Sequence, residues 1–179
     1  MEKMWTGRFS KQLDKLADDF NSSISFDCAL YKQDIQGSIA HAKMLAGCGI
    51  ISEEESKVII DGLKGILSDL ESGKLAFDFS AEDIHMFVEA ELTARVGDVG
   101  KKLHTARSRN DQIATDMRLY LRDESGEVIA LIKQLLGAIV EQAKKTKTYI
   151  VPGYTHLQRA QPIPVSYTHL RAHETLANL

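Results

Sequence analysis

The chain has 179 residues, 44% of them hydrophobic and 26% charged, an ordinary globular composition that excludes a wholly disordered or collagen-like polypeptide. With 22 basic against 25 acidic residues its net charge is −3, so no global basic field draws it to nucleic acid or to an acidic membrane. No apolar run approaches the ~18 residues of a membrane span, no signal-peptide h-region follows Met1, and Cys28 and Cys48 form neither a metal-ligand spacing nor a disulfide framework, so a cytoplasmic protein is expected.

Proline ends or kinks helices, and the three prolines, Pro152, Pro162 and Pro164, lie close together near one end. The sequence before them is free to form long helices. In chain order, Ser10 caps a predicted helix over 11–20 with Leu13, Leu16, Ala17 and Phe20 on one face, and Asn21-Ser22-Ser23 breaks it. A second helix is predicted from about Asp27 to Ala46, burying Leu30, Ile35, Ile39, Ala42 and Leu45 and ending at Gly47 or Gly49. Ser52-Glu53-Glu54-Glu55 reads as a capping box for a third, which carries Val58, Ile59, Leu63, Ile66, Leu67 and Leu70 to Gly73. Ser80-Ala81-Glu82-Asp83 starts a fourth, ending at Val96 before Gly97. The longest pattern runs from about Ser108 to Lys145, with Ile113, Met117, Tyr120, Leu121, Val128, Leu131, Ile132, Leu135, Leu136, Ile139 and Val140 at helical spacing. A helix of ~38 residues would be ~57 Å long, more than a small domain covers, so its stripe implies partner helices in a bundle. No strand is expected.

Two polar stretches stand out as chemistry. His104-Thr105-Ala106-Arg107-Ser108-Arg109-Asn110-Asp111-Gln112 places two guanidinium forks and several donors at the entry of the long helix, where free N–H groups favour an anion. The plainer reading makes Ser108 an N-cap, Asp111 its dipole partner and the arginines surface charges. Pro152-Gly153-Tyr154-Thr155-His156-Leu157-Gln158-Arg159-Ala160-Gln161-Pro162 reads as a rigid, donor-rich loop in which His156 can transfer a proton near neutral pH. Glu82-Asp83-Ile84-His85 either binds polar groups or caps its helix, and Asn21-Ser22-Ser23 is an anion-binding turn or a helix break. His85, His104 and His156 lack metal-ligand spacing, so no metal site is expected.

Taken together and in this order, the clusters closely resemble the argininosuccinate lyase family of the fumarase/aspartase superfamily. The segments that carry the resemblance are Met4-Trp5-Thr6-Gly7-Arg8-Phe9, Phe20-Asn21-Ser22-Ser23-Ile24, Asp34-Ile35-Gln36-Gly37-Ser38, Glu82-Asp83-Ile84-His85, Gly100 through Gln112, and Gly153 through Pro162. The His104–Gln112 block separates this family from adenylosuccinate lyases and fumarases. The resemblance implies an all-α fold: an amino-terminal lyase domain over 1–105, the truncated start of a central helical bundle over 106–166, and a non-native tail over 167–179. It implies a carbon–nitrogen lyase that cleaves argininosuccinate to arginine and fumarate without a cofactor or metal, as a cytoplasmic homotetramer with a small-molecule substrate. The alternatives are a crystallin-like structural member, a related lyase such as adenylosuccinate lyase, or an interaction fragment that uses the stripe of the long helix.

Carried over residue by residue, the resemblance makes His156 the catalytic histidine and Ser23, Asn110 and Thr155 substrate-binding. Ser108 and Arg109 fall on neighbouring carboxylate-contacting positions, and Asp83, His85 and Gln158 on polar pocket positions. The family's Gly-Ser-Ser loop with its catalytic serine is absent from this sequence, which implies an amino-terminal fragment that is inactive alone. Val165 through Thr175 reads as one frame of a transposase-type sequencing adaptor. The competing origin is a short duplication, since Tyr167-Thr168-His169-Leu170 repeats Tyr154-Thr155-His156-Leu157.

Overall fold

The computed structural model describes residues 14–170. The Ser10 cap, the Met4–Phe9 segment and residues 171–179 lie outside the described residues. By spatial proximity the chain divides into two units, 1–121 and 122–179, and one long helix runs through the division.

The first unit is helical. Helix α1 spans Lys15–Asn21 and α2 Ile24–Asp27. A 3-10 turn, Cys28–Leu30, leads into α3, Tyr31–Gly47, so the single helix expected from Asp27 is interrupted at its start. Helix α4, Glu53–Glu71, begins as the sequence predicts. The Ser52 hydroxyl accepts from the Glu55 N–H and the Glu55 carboxylate accepts from the Ser52 N–H, each at 3.1 Å. Helix α5 covers Ile84–Val96, and here the cap is Asp83 rather than the more distant Ser80: its Oδ1 accepts from the Met86 N–H at 2.8 Å. Gly97, at φ 72 and ψ −150, takes a conformation open to glycine and ends α5, and a short α6, Asp98–Lys101, follows.

The core lies where α3, α4 and α5 meet. Ile35 and Leu45 from α3, Ile59, Leu63 and Ile66 from α4, and Phe87, Val88 and Leu92 from α5 are fully buried, each contributing about 1.5–3 kcal/mol of hydrophobic transfer energy. On α4 the spacing 59, 63, 66 forms one face, and Val58, about 100° away from Ile59, is exposed instead of joining the core. Close approach of α4 and α5 depends on Gly62, where a Cβ would come within 2.8 Å of Leu92 Cδ1. Helix α5 buries five consecutive residues, 84–88, so it is enclosed on more than one side.

Helix α7, Arg109–Lys145, is 37 residues long, about 55 Å at the usual rise, and matches the predicted span. In the second unit its end is followed by two strands, β1, Ile150–Thr155, and β2, Gln158–Pro164, paired antiparallel, and by α8, Val165–Leu170. The strands correct the expectation of a strand-free loop. Pro152 pairs with Pro162, and since neither ring can donate, the hairpin tolerates both only where no N–H is needed between the strands. The register shifts between Gly153 and Tyr154, which is a bulge, and the Val165 N–H donates to the Tyr149 carbonyl at 2.8 Å to close the open end. No helix among the described residues is long and apolar enough to cross a membrane.

Candidate functional site

Several of the expected site residues in the first unit gather at the amino end of α5. Ser23, half-buried, donates its N–H to the Glu82 carbonyl at 2.8 Å and its hydroxyl to Asp27 Oδ2 at 2.5 Å, while Asp27 Oδ1 accepts from the Ile84 N–H. Burial raises the Asp27 carboxyl above its ordinary range, and the Ser23 hydrogen bond offsets part of that. Asp83 divides its oxygens between capping α5 and facing Arg109, whose Nη1 lies 3.0 Å from Asp83 Oδ2 and 3.5 Å from Glu82 Oε1. Ser23, Asp83 and Arg109 are therefore linked through one helix start.

The segment before α7 is turned by Ala106, which at φ 54 occupies the left-handed region at a cost of about 1–2 kcal/mol. Its neighbours hold it to α3: the Thr105 carbonyl lies 2.9 Å from His41 Nε2, and Arg107 Nη1 donates to Ser38 Oγ at 2.9 Å. The plain capping role of Ser108 is realised, since its N–H donates to Asp111 Oδ1 at 2.9 Å and its Oγ accepts from the Asn110 N–H at 3.3 Å. The Asn110 side chain itself is exposed.

Behind this surface, His85 enters a buried network whose other members the sequence reading did not select. Its Nδ1 lies 2.8 Å from Asp34 Oδ1 on α3 and 3.6 Å from Asp116 Oδ2 on α7, and the Gln112 amide also donates to Asp34 Oδ1. Asp34 and Asp116 are 0% exposed. Burial by itself would depress the His85 pKa, but the Asp34 hydrogen bond and the charges of Asp34, Asp83 and Asp116 outweigh it and raise it. Burial first, then the Asp34 charge, pushes Asp116 up to about 7. The donor atoms of Asp34, His85 and Asp116 fall within 4.8 Å of one another. The Gln112 amide N–H points at Asp34 Oδ1, and His85 Nδ1 lies against the same oxygen, so the three side chains form one buried polar network. A small pocket beside it is lined by His85, Glu89, His104, Arg107 and Gln112. The available signal was a polar residue on a core face: Asp34 shares the 34, 38, 42, 45 stripe of α3 with buried Ala42 and Leu45.

In the second unit, Thr155 and Gln158 are the paired residues that flank a two-residue turn made of His156 and Leu157. Both turn residues have positive φ, 49° and 63°, the geometry of a type I′ hairpin that usually requires Asn-Gly. His156 is thus held exposed at a hairpin tip by a backbone conformation a β-carbon disfavours.

Residues 7–178 match the lyase family. Among curated relatives, the chain is 60% identical over 171 residues to the argininosuccinate lyase of Acetivibrio thermocellus and 56% identical over 173 residues to that of Pelotomaculum thermopropionicum. These alignments cover 96% and 97% of the chain but 37% of each relative, so it spans little more than a third of their length. Among solved structures, EDDS lyase in complex with formate is similar at a TM-score of 0.65 and 28% identity, over 86% of this chain and 30% of that one.

Proposed function

The chain belongs to the lyase family, and from that premise we propose that the intact gene product is an argininosuccinate lyase. The observation that carries this reading is 56–60% identity to argininosuccinate lyases over almost the whole chain. The reaction is a β-elimination: a base removes the proton from the carbon beside a carboxylate, the charge spreads into that carboxylate, and an acid protonates the departing guanidinium nitrogen as fumarate forms. In this reading His156 handles a proton, on a turn that fixes its backbone. Ser23, Asn110 and Thr155 bind the substrate, Ser108 and Arg109 contact its carboxylates, and Asp83, His85 and Gln158 are polar neighbours. The Arg109–Asp83 pair supports Asp83 as the group that orients the guanidinium.

The exposed apolar stripe of α7 supports partner helices that cover it, from the rest of the gene product or from other copies in a homotetramer. We keep the division into a lyase domain over 1–105 and the start of a bundle over 106–166, with 167–179 read as a non-native tail. The gene sequence beyond codon 164 tests that tail: codons unlike the adaptor would exclude it. The function is tested by following the fumarate absorbance with the full-length gene product and argininosuccinate, where a rise is expected and no rise overturns the proposal. The 179-residue chain alone is expected to give no turnover, because the serine loop is absent from it; measurable turnover would refute that.

A further inference from the structure

Two carboxyl groups stand side by side behind His85 with too few donors between them. Asp34 Oδ1 accepts from the Gln112 amide and lies 2.8 Å from His85 Nδ1, and Asp34 Oδ2 has no hydrogen-bond partner. Neither oxygen of Asp116 has one, and the 3.6 Å separation from His85 Nδ1 is too long for a hydrogen bond. A buried carboxylate without donors is costly, and two together more so. A proton placed on Asp116 removes one charge and turns two acceptors into a donor and an acceptor. The close approach is built into the fold, since a Cβ at Gly37 of α3 would lie 3.2 Å from Asp116 Oδ1.

We propose that Asp34 and Asp116 are positioning residues for His85: sharing one proton between their carboxyls, they hold its ring as an imidazolium with Nδ1–H donated to Asp34, a fixed cation on the wall that also holds Arg107. The charged and titratable groups around the ring are Asp27 at the end of α2, Asp34 on α3, Asp83 at the cap of α5, Glu89 on α5, Asp116 on α7, and His104 and Arg107 in the connection before α7. Use of that cation to hold a substrate carboxylate rests on the function proposed above. The proton arrangement itself does not.

The test is nuclear magnetic resonance of the labelled 179-residue chain carrying Leu131→Glu and Leu135→Glu on its exposed α7 stripe, following the His85 ring nitrogens and the Asp34 and Asp116 carboxyl carbons from about pH 4 to about pH 9. The expected result is a His85 doubly protonated at about pH 7 and one carboxyl of the pair titrating at least about two units above the other. Asp34→Asn is expected to lower the proton affinity of His85 at least about tenfold, with helix content unchanged. A neutral His85 at neutral pH, or two carboxyls that both titrate in the ordinary range, overturns the proposal even if the variant does not fold. Because these readouts need no turnover, their failure is distinct from failure of the full-length protein to make fumarate.

Discussion

A carboxyl group buried beside another takes up a proton on folding, and Asp116 sits in that position. Its folded pKa of about 7 lies above the ordinary 3.8, so the folded state binds more protons than the unfolded one between those values. Stability from this group is therefore present at low pH and is lost as pH rises through about 7. The raised His85 pKa acts in the same direction, its share disappearing above the ordinary histidine range. Urea unfolding is expected to show a loss of roughly 2 kcal/mol between about pH 5 and about pH 8, and Asp116→Asn should flatten that slope. A stability that rises over this interval would mean that Asp116 is ionised throughout. At this scale the sequence identified His85 but neither carboxylate beside it, because Asp34 and Asp116 are 82 positions apart and only the packing of α3 against α7 makes them neighbours.

Among the elements, the start and core face of α4 were readable: Ser52 and Glu55 are local partners and the 59, 63, 66 face follows from helix period, while Val58, expected with them, is exposed. Ser52→Ala removes the acceptor for the Glu55 N–H and is expected to lower unfolding stability by about 1 kcal/mol, read from the urea midpoint at constant slope. The hairpin was not readable. Its turn is His156-Leu157, without glycine or asparagine, and prolines in both strands argue locally against a sheet. What forms it is the pairing itself, with Pro152 opposite Pro162 and the bulge beside Gly153 absorbing the mismatch.

For the whole molecule, the uncovered stripe of α7 is the feature with the largest consequence. Val128, Leu131, Ile132, Leu135 and Leu136 are each half or more exposed, a row of apolar side chains that water penalises by about 25 cal/mol per Å². The isolated chain is expected to self-associate by light scattering at micromolar concentration, and Leu131→Glu with Leu135→Glu should shift it toward monomer; a wild-type monomer would argue that the stripe needs no cover. The caps at Ser52 and Ser108, the span and stripe of the long helix and the segments that place the chain among the lyases are all legible from residue order, since each depends on neighbours within a turn or on sequence pattern. Folding alone brings Arg109 to Asp83, sets His85 against two buried carboxyls and puts His156 on a hairpin tip. Those arrangements depend on which buried groups the folded chain brings together, and on how their charges are shared once water is gone.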